Sequence, residues 1–185
     1  MIAGGASEKT AIPRPRSLPA IVAPALALGV ATVLVRGASA DAFCWGAVQS
    51  LLVVIAAEDL RTRRIPNAVT GPAVLVAILL RILFASSELP ATLIAGVTTF
   101  VAFLGLAIVA RGGFGMGDVK LAGLLGVLLG ASVLPALLTG TVAGGLASLV
   151  LLFRSRSRRA TIAYGPYLCF GAAVVILAGS VPHLV

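Results

Sequence analysis

Only six carboxylates occur in the 185 residues: Glu8, Asp41, Glu58, Asp59, Glu88 and Asp118. Three of them, Glu58, Asp59 and Asp118, fall at the ends of strongly apolar stretches. Asp118 stands in "GFGMGDVKLAG", residues 113–123, where Gly112, Gly113, Gly115 and Gly117 strip side chains from its approach. Backbone so unencumbered reaches conformations barred to other residues, and a second chain can come close to it. Asp59 stands in "AAEDLRTRRIPNAVT", followed by a basic turn and by Pro66 and Asn67. Each acid also has a plainer explanation. Asp118 suits the N-cap of the helix that follows it, where a carboxylate also complements the helix dipole. Asp59 suits an interfacial acid neutralised by Arg61, Arg63 or Arg64, with Asn67 bonding backbone at the turn.

Taken as a pair, the two acids offer more. Two neighbouring carboxyls share one proton, because like charges disfavour double ionisation. The ionised member can then activate a water while the protonated member donates to a substrate carbonyl. That chemistry needs no metal, covalent nucleophile or cofactor. No rival constellation stands out: there is no Ser-Lys or Ser-His pairing, no Walker loop and no dinucleotide loop. Cys44 and Cys169 sit in separate apolar segments, form no CxxC and read as small packing residues. The single histidine, His183, lies near the C-terminus without a second ligand beside it, so no metal site is expected. Asp41 and Glu88 fall in expected outer loops and read as solvated or capping groups.

The elements that must position these acids are membrane helices. The chain is 59% hydrophobic and 11% charged, with mean hydropathy +1.12, whereas a soluble domain carries about a quarter charged residues. Apolar segments are expected at roughly 19–35, 43–58, 68–85, 91–110, 118–133, 135–153 and 162–180. Pro135 in "GASVLP" is the expected break between the fifth and sixth. The fold class is therefore an all-α polytopic membrane protein, a bundle of six to seven transmembrane helices. Residues 1–18 form a polar tail, and 19–42 an additional N-terminal helix. That helix has a second reading as a secretory signal, since "ASA" at 38–40 suits small-residue cleavage.

Net charge is +8, which in a soluble chain would suggest nucleic acid. Here it records topology instead. With the N-terminus inside, twelve of the 14 basic residues fall on the cytoplasmic face, and only Arg36 and Arg81 lie toward the other side. Asp59 and Asp118 then share the cytoplasmic face. Near the C-terminus, "ATIAYGPYLCFGA" places Tyr164 and Tyr167 as interfacial anchors around a Gly165-Pro166 bend. Spacings such as Gly126 to Gly130 and Gly140 to Gly144 suit close helix packing.

Three motifs in order, D-x6-P-N at Asp59 to Asn67, "GMGDVKLAGLLGVLLG" at 115–130 and "YGPYL" at 164–168, make the chain resemble the prepilin peptidases. These type IV leader peptidases are membrane aspartic proteases of the GxGD kind, and the resemblance covers roughly residues 43–180, within an expected peptidase-like membrane domain at 43–185. It implies that Asp59 and Asp118 are the two catalytic acids and that Gly115 and Gly117 precede the second. Pro66, Asn67, Lys120, Gly165 and Pro166 match motif positions in supporting roles; Lys120 either helps position the site or is one more basic residue of that face. Glu58 has no counterpart and should point about 100° away from Asp59 on its helix. The implied substrate is a pilin-like precursor with a short basic leader, a glycine before the cleavage point and a hydrophobic helix beyond it. The implied setting is the cytoplasmic membrane of a prokaryote, with the lipid bilayer as partner and no nucleic acid. Long members of the family carry an N-terminal domain with paired CxxC motifs linked to methylation; this sequence lacks them and resembles the short form serving Flp/Tad-type pili, so cleavage without methylation is expected. Two other classes remain: a transporter using the acids as ion ligands, and a structural pilus-assembly subunit.

Overall fold

A computed structural model describes residues 19–110, 115–155 and 163–184. The tail 1–18, Gly112 and Gly113 of the glycine-rich approach, and the basic residues between 156 and 159 lie outside the described residues.

Among the described residues there are seven α-helices and two single 3-10 turns, and no strand. The helices are α1 (Pro19–Arg36), α2 (Ala40–Thr62), α3 (Asn67–Phe84), α4 (Leu89–Val109), α5 (Met116–Leu129), α6 (Val133–Ser155) and α7 (Gly165–Leu177). The stretches Ala40–Thr62, Asn67–Phe84 and Ser86–Val109 are each long and apolar enough to cross a bilayer, as is the run Met116–Leu151. Large apolar side chains cover the outside: Leu75, Val97 and Leu138 are each more than 60% exposed. Apolar surface on that scale is sustainable only against lipid or partner protein. The chain is a polytopic helical membrane protein, as its composition indicates.

The run from α5 to α6 reverses at Gly130–Ser132, a 3-10 turn whose first residue has φ +56°. Pro135 is not the breaker expected from the sequence; it lies within the first turn of α6, where a missing N–H disrupts nothing. Glycine supplies the left-handed backbone the reversal needs. At Gly130 a Cβ would meet Thr92 at 3.2 Å, so the turn is also packed tightly against α4.

α5 is the centre of the bundle. Leu121, Ala122, Leu124, Leu125 and Leu129 have no exposed surface, so this helix is apolar on every side because protein surrounds it. It and α7, with 14 and 13 residues, are about 20 Å long, shorter than the helices that face lipid. Lipid offers no hydrophobic driving force between helices, so close backbone packing must hold them together. The α4–α5 seam does this with glycines: a Cβ on Gly126 would stand 2.6 Å from the Gly96 Cα. Thr99 Oγ1 lies 3.1 Å from the Ala122 carbonyl across the same seam. Gly140 and Gly144 serve α6 against α7, where Cβ atoms would meet the Tyr167 carbonyl at 2.6 Å and the Tyr167 ring at 3.2 Å. Both glycine spacings seen in the sequence are thus helix contacts within the bundle. Tyr164 and Tyr167, expected as interfacial anchors, pack their rings on Gly144.

The end of the bundle remote from Asp59 is closed by bonded charges. Asp41, expected as a solvated or capping acid, is neither. Ser39 caps α2 by accepting the Ala42 N–H at 3.1 Å. Asp41 pairs with Arg36 at 2.9 Å and accepts the Leu184 N–H at 2.7 Å. Arg81 is fully buried and donates to the Leu128 carbonyl at 2.7 Å and the His183 carbonyl at 3.1 Å. Glu88 stands 4.0 Å from it. The two basic residues that the charge count left on the outer side are therefore the two that fasten the C-terminal segment.

Candidate active site

α2 runs one turn further than its apolar stretch, to Thr62. Hydrogen bonding rather than hydropathy ends it, so Asp59 lies inside the helix instead of at its end. The stop is Arg63, whose left-handed backbone (φ 52°) directs its N–H onto the Asp59 carbonyl at 2.8 Å. A left-handed residue other than glycine costs about 1–2 kcal/mol, and the surroundings hold it. Thr62 Oγ1 donates to the Glu58 carbonyl at 3.0 Å and accepts the Arg64 N–H at 3.3 Å. The chain then passes through Ile65 to Pro66, at φ −68°. The Pro66 carbonyl accepts the N–H groups of Val69 and Thr70 and starts α3.

α5 starts differently from the sequence expectation. Gly115 is the N-cap residue, and Asp118 is the third residue of the helix. Its carboxyl folds back over the cap, so that a Cβ on Gly115 would stand 3.2 Å from Asp118 Oδ2. A carboxylate in the first turn still complements the helix dipole. The cap role nonetheless belongs to Gly115.

α7 completes the site with its first residue. A Cβ on Gly165 would lie 2.6 Å from Asp59 Oδ2 and 3.2 Å from Ile65 Cδ1. A Cβ on Gly117 would lie 3.1 Å from Ile65 Cβ. The ends of α2, α5 and α7 therefore converge, and each of the two glycines is required by a close approach. Asp59 and Asp118 are 5% and 9% exposed, and Ile65 packs between the glycines that flank them, Gly165 and Gly117. Asp59 Oδ2 is buried without a hydrogen-bond partner of ordinary geometry, and the Gly165 backbone N–H is the group that interacts with this carboxyl.

Among the described residues neither acid forms an ion pair. Arg61 reaches Glu58 instead, at 3.7 Å, on the exposed side of α2. The reading of Asp59 as an acid neutralised by its arginine neighbours is thus not what the structure contains, and Glu58 points away as helix geometry requires. Asn67 does not bond local backbone: its Oδ1 accepts from Lys120 Nζ at 2.9 Å. Pro166 occupies the first turn of α7 and, like Pro66, contributes backbone shape rather than a polar group. Beside the Asn67–Lys120 pair an apolar groove of about 760 Å³ opens between α3, α4 and α5, lined by Thr70, Leu75, Val97, Phe100 and Val127 among others.

Two residues of the site escaped the sequence reading. Ile65 looked like one more apolar residue before a proline, although its place in "IPN" between two motif positions was a usable signal. Cys169 is buried in the apolar core, as a packing residue should be, and it lies on the helix that begins at Gly165. Its spacing of four from Gly165, one helical turn, places it on the same face.

A family model described as the type IV leader peptidase family matches residues 46–153. Two curated relatives are each named prepilin leader peptidase/N-methyltransferase and come from Burkholderia pseudomallei, strains 1026b and K96243. Each is 29% identical to the chain over 161 residues, covering 83% of this chain and 52% of the relative. The chain thus spans about half the length of the curated relatives it matches. No solved structure gives a significant match. The family match spans more than half of the chain and includes both aspartates, the Asn67–Lys120 pair and Ile65, and on that basis the chain belongs to the type IV leader peptidase family.

Proposed function

We propose that this protein is an aspartic endopeptidase that removes the leader from pilin-like precursors at the cytoplasmic face of the membrane, with Asp59 and Asp118 as its catalytic pair. The observation that carries the proposal is the convergence of these two buried carboxyls, neither ion-paired among the described residues, beneath glycine backbone at Gly115 and Gly165. An acid held for structure would be expected to have its cation, as Asp41 has Arg36.

In the reaction, the ionised aspartate takes a proton from water as the water oxygen attacks the scissile carbonyl carbon. The protonated aspartate gives its proton to the carbonyl oxygen, producing a tetrahedral diol. Collapse of the diol returns a proton to that aspartate and delivers the other to the leaving nitrogen, so the C–N bond breaks and the pair regains its single shared proton. The glycines at 115, 117 and 165 let the helix ends close on the two carboxyls and on Ile65, where any larger residue would push them away. The apolar groove opening at Asn67 and Lys120 suits the hydrophobic segment that follows the cleavage point in such precursors.

Lys120, Arg61, Arg63 and Arg64 all lie at the aspartate end of the bundle, which supports placing that end in the cytoplasm. Ion carriers bind near the middle of the bilayer between broken helices, whereas these acids stand one turn from the ends of α2 and α5. That geometry favours the peptidase over a transporter. We assign these 185 residues cleavage alone, since they contain no CxxC pair. The test is to incubate the purified protein with a pilin-like precursor and S-adenosylmethionine and to weigh the products. The expected product is a leader-free, unmethylated chain. An intact precursor would overturn the peptidase reading, and a methylated product would overturn the restriction to cleavage.

A further inference from the structure

The turn between α2 and α3 holds Ile65 in a place no motif assigns to it. Its Cβ and Cγ1 would touch a Cβ on Gly117, at 3.1 and 3.3 Å, and its Cδ1 would touch one on Gly165, at 3.2 Å. Gly117 precedes Asp118, and Gly165 lies against the carboxyl of Asp59. Ile65 is 8% exposed, and its own position is fixed from both sides. Arg63 ties the turn to the Asp59 carbonyl at 2.8 Å, Pro66 fixes the following backbone, and Asn67 is held to α5 through Lys120 at 2.9 Å. The branched side chain is therefore wedged between the backbone of α5, which carries Asp118, and that of α7, against which the Asp59 carboxyl lies.

We propose that Ile65 is a positioning residue that sets the separation of the Asp59 and Asp118 carboxyls by holding the first turn of α5, which carries Asp118, off the first turn of α7, against which the Asp59 carboxyl rests. It rests on the peptidase reading for its consequence but not for its geometry. Ile65 contributes no polar atom and does no chemistry; it acts through the distance between two groups that do. β-Branching suits the task, because it stiffens the side chain at χ1. The two contacts are separable by substitution. Ile65→Val removes only Cδ1, the atom facing Gly165, and retains the contact with Gly117. Ile65→Ala removes Cγ1 and Cγ2 as well and leaves only the Cβ against Gly117.

Two measurements test this. In precursor cleavage, Ile65→Ala should lower kcat about 100-fold, the penalty expected for a misplacement of about 1 Å. KM should stay within about twofold, because the lost interaction is not one of substrate binding. Ile65→Val should fall between the two, and Ile65→Val also decides the matter if Ile65→Ala does not fold. Equal losses in both variants with a matching fall in thermal stability, or a change confined to KM, would overturn the proposal.

The second measurement needs no enzymatic activity. Asp59→Cys and Asp118→Cys are combined with Cys44→Ala and Cys169→Ala, and disulfide formation under copper-phenanthroline and oxygen is followed by mass after alkylation. Replacing Ile65 by Ala should change the cross-linking rate by about threefold or more, since effects of this size follow modest geometric change. An unchanged rate would overturn the wedge. If the wild-type chain leaves the precursor intact while the cross-linking rate responds, the peptidase reading fails and the wedge stands.

Discussion

Lys120 Nζ donates to Asn67 Oδ1 at 2.9 Å, joining residues 53 positions apart in the chain. Lys120 follows Asp118 by two residues, and Asn67 opens α3 just after the turn that leaves Asp59. A side chain readable as a surface cation is thus part of the connection between the two candidate catalytic segments.

That bond is exposed, so its contribution to stability should be small. Lys120→Ala and Asn67→Ala should each cost about 1 kcal/mol or less. Their double-mutant cycle should show a coupling of about 0.5 kcal/mol or more, read from thermal or denaturant unfolding in detergent. Cleavage should fall about tenfold in either variant, with KM nearly unchanged. Strict additivity of the two substitutions would contradict the pairing.

Gly165→Ala tests the approach of α7 to Asp59. The added Cβ would lie 2.6 Å from Asp59 Oδ2, so the carboxyl must move. Cleavage should fall about 100-fold or more, while Gly105→Ala, where a Cβ meets nothing within 4 Å, should leave activity intact. Wild-type activity in Gly165→Ala would show that α7 does not constrain the acid.

Gly126→Ala tests the α4–α5 seam. Its Cβ would meet backbone, at 2.6 Å from the Gly96 Cα and 2.7 Å from the Ala95 carbonyl, and backbone cannot step aside as a side-chain tip can. A loss of about 2–3 kcal/mol is expected from such overpacking. A thermal unfolding midpoint matching wild type would contradict it.

Arg81→Leu removes the donor to the Leu128 and His183 carbonyls in a fully buried place. With two charge-assisted bonds gone and both acceptors left unpaired, stability should fall by about 2–3 kcal/mol. Glu88→Gln should cost no more than about 0.5 kcal/mol, because its contact with Arg81 is 4.0 Å and Glu88 is 43% exposed. Equal losses in the two variants would contradict this account of the C-terminal segment.

What was legible in the sequence divides along physical lines. Hydropathy is a local property, and it located the helices to within a few residues. It misplaced the α5–α6 reversal because Pro135 is tolerated in a first helical turn, whereas Gly130 makes the turn through its backbone angle. The charge count separated Arg36 and Arg81 from the other basic residues, and the structure puts them at the end remote from Asp59. What the count could not say was that Arg81 would be fully buried and bonded, since the carbonyls of Leu128 and His183 are brought to it only by the fold.

The acids themselves were visible as carboxylates at the edges of apolar runs. Their setting was not. That Gly115 caps α5 and that Arg61 turns to Glu58 are local choices within one segment, but that Ile65 fills the space between Gly117 and Gly165 depends on three helix ends meeting. No single segment encodes that meeting.

The central claim is that Asp59 and Asp118 act together on a peptide bond. Its most direct test is cleavage of a pilin-like precursor by membranes carrying wild type, Asp59→Asn or Asp118→Asn. Asparagine keeps the shape of each carboxyl but can neither take the proton from water nor deliver one to the carbonyl. Each substitution alone should lower the cleavage rate by about 1,000-fold or more, as losses of groups that act as a unit do, with the protein present at wild-type levels. Cleavage persisting near the wild-type rate in either variant would contradict the pair.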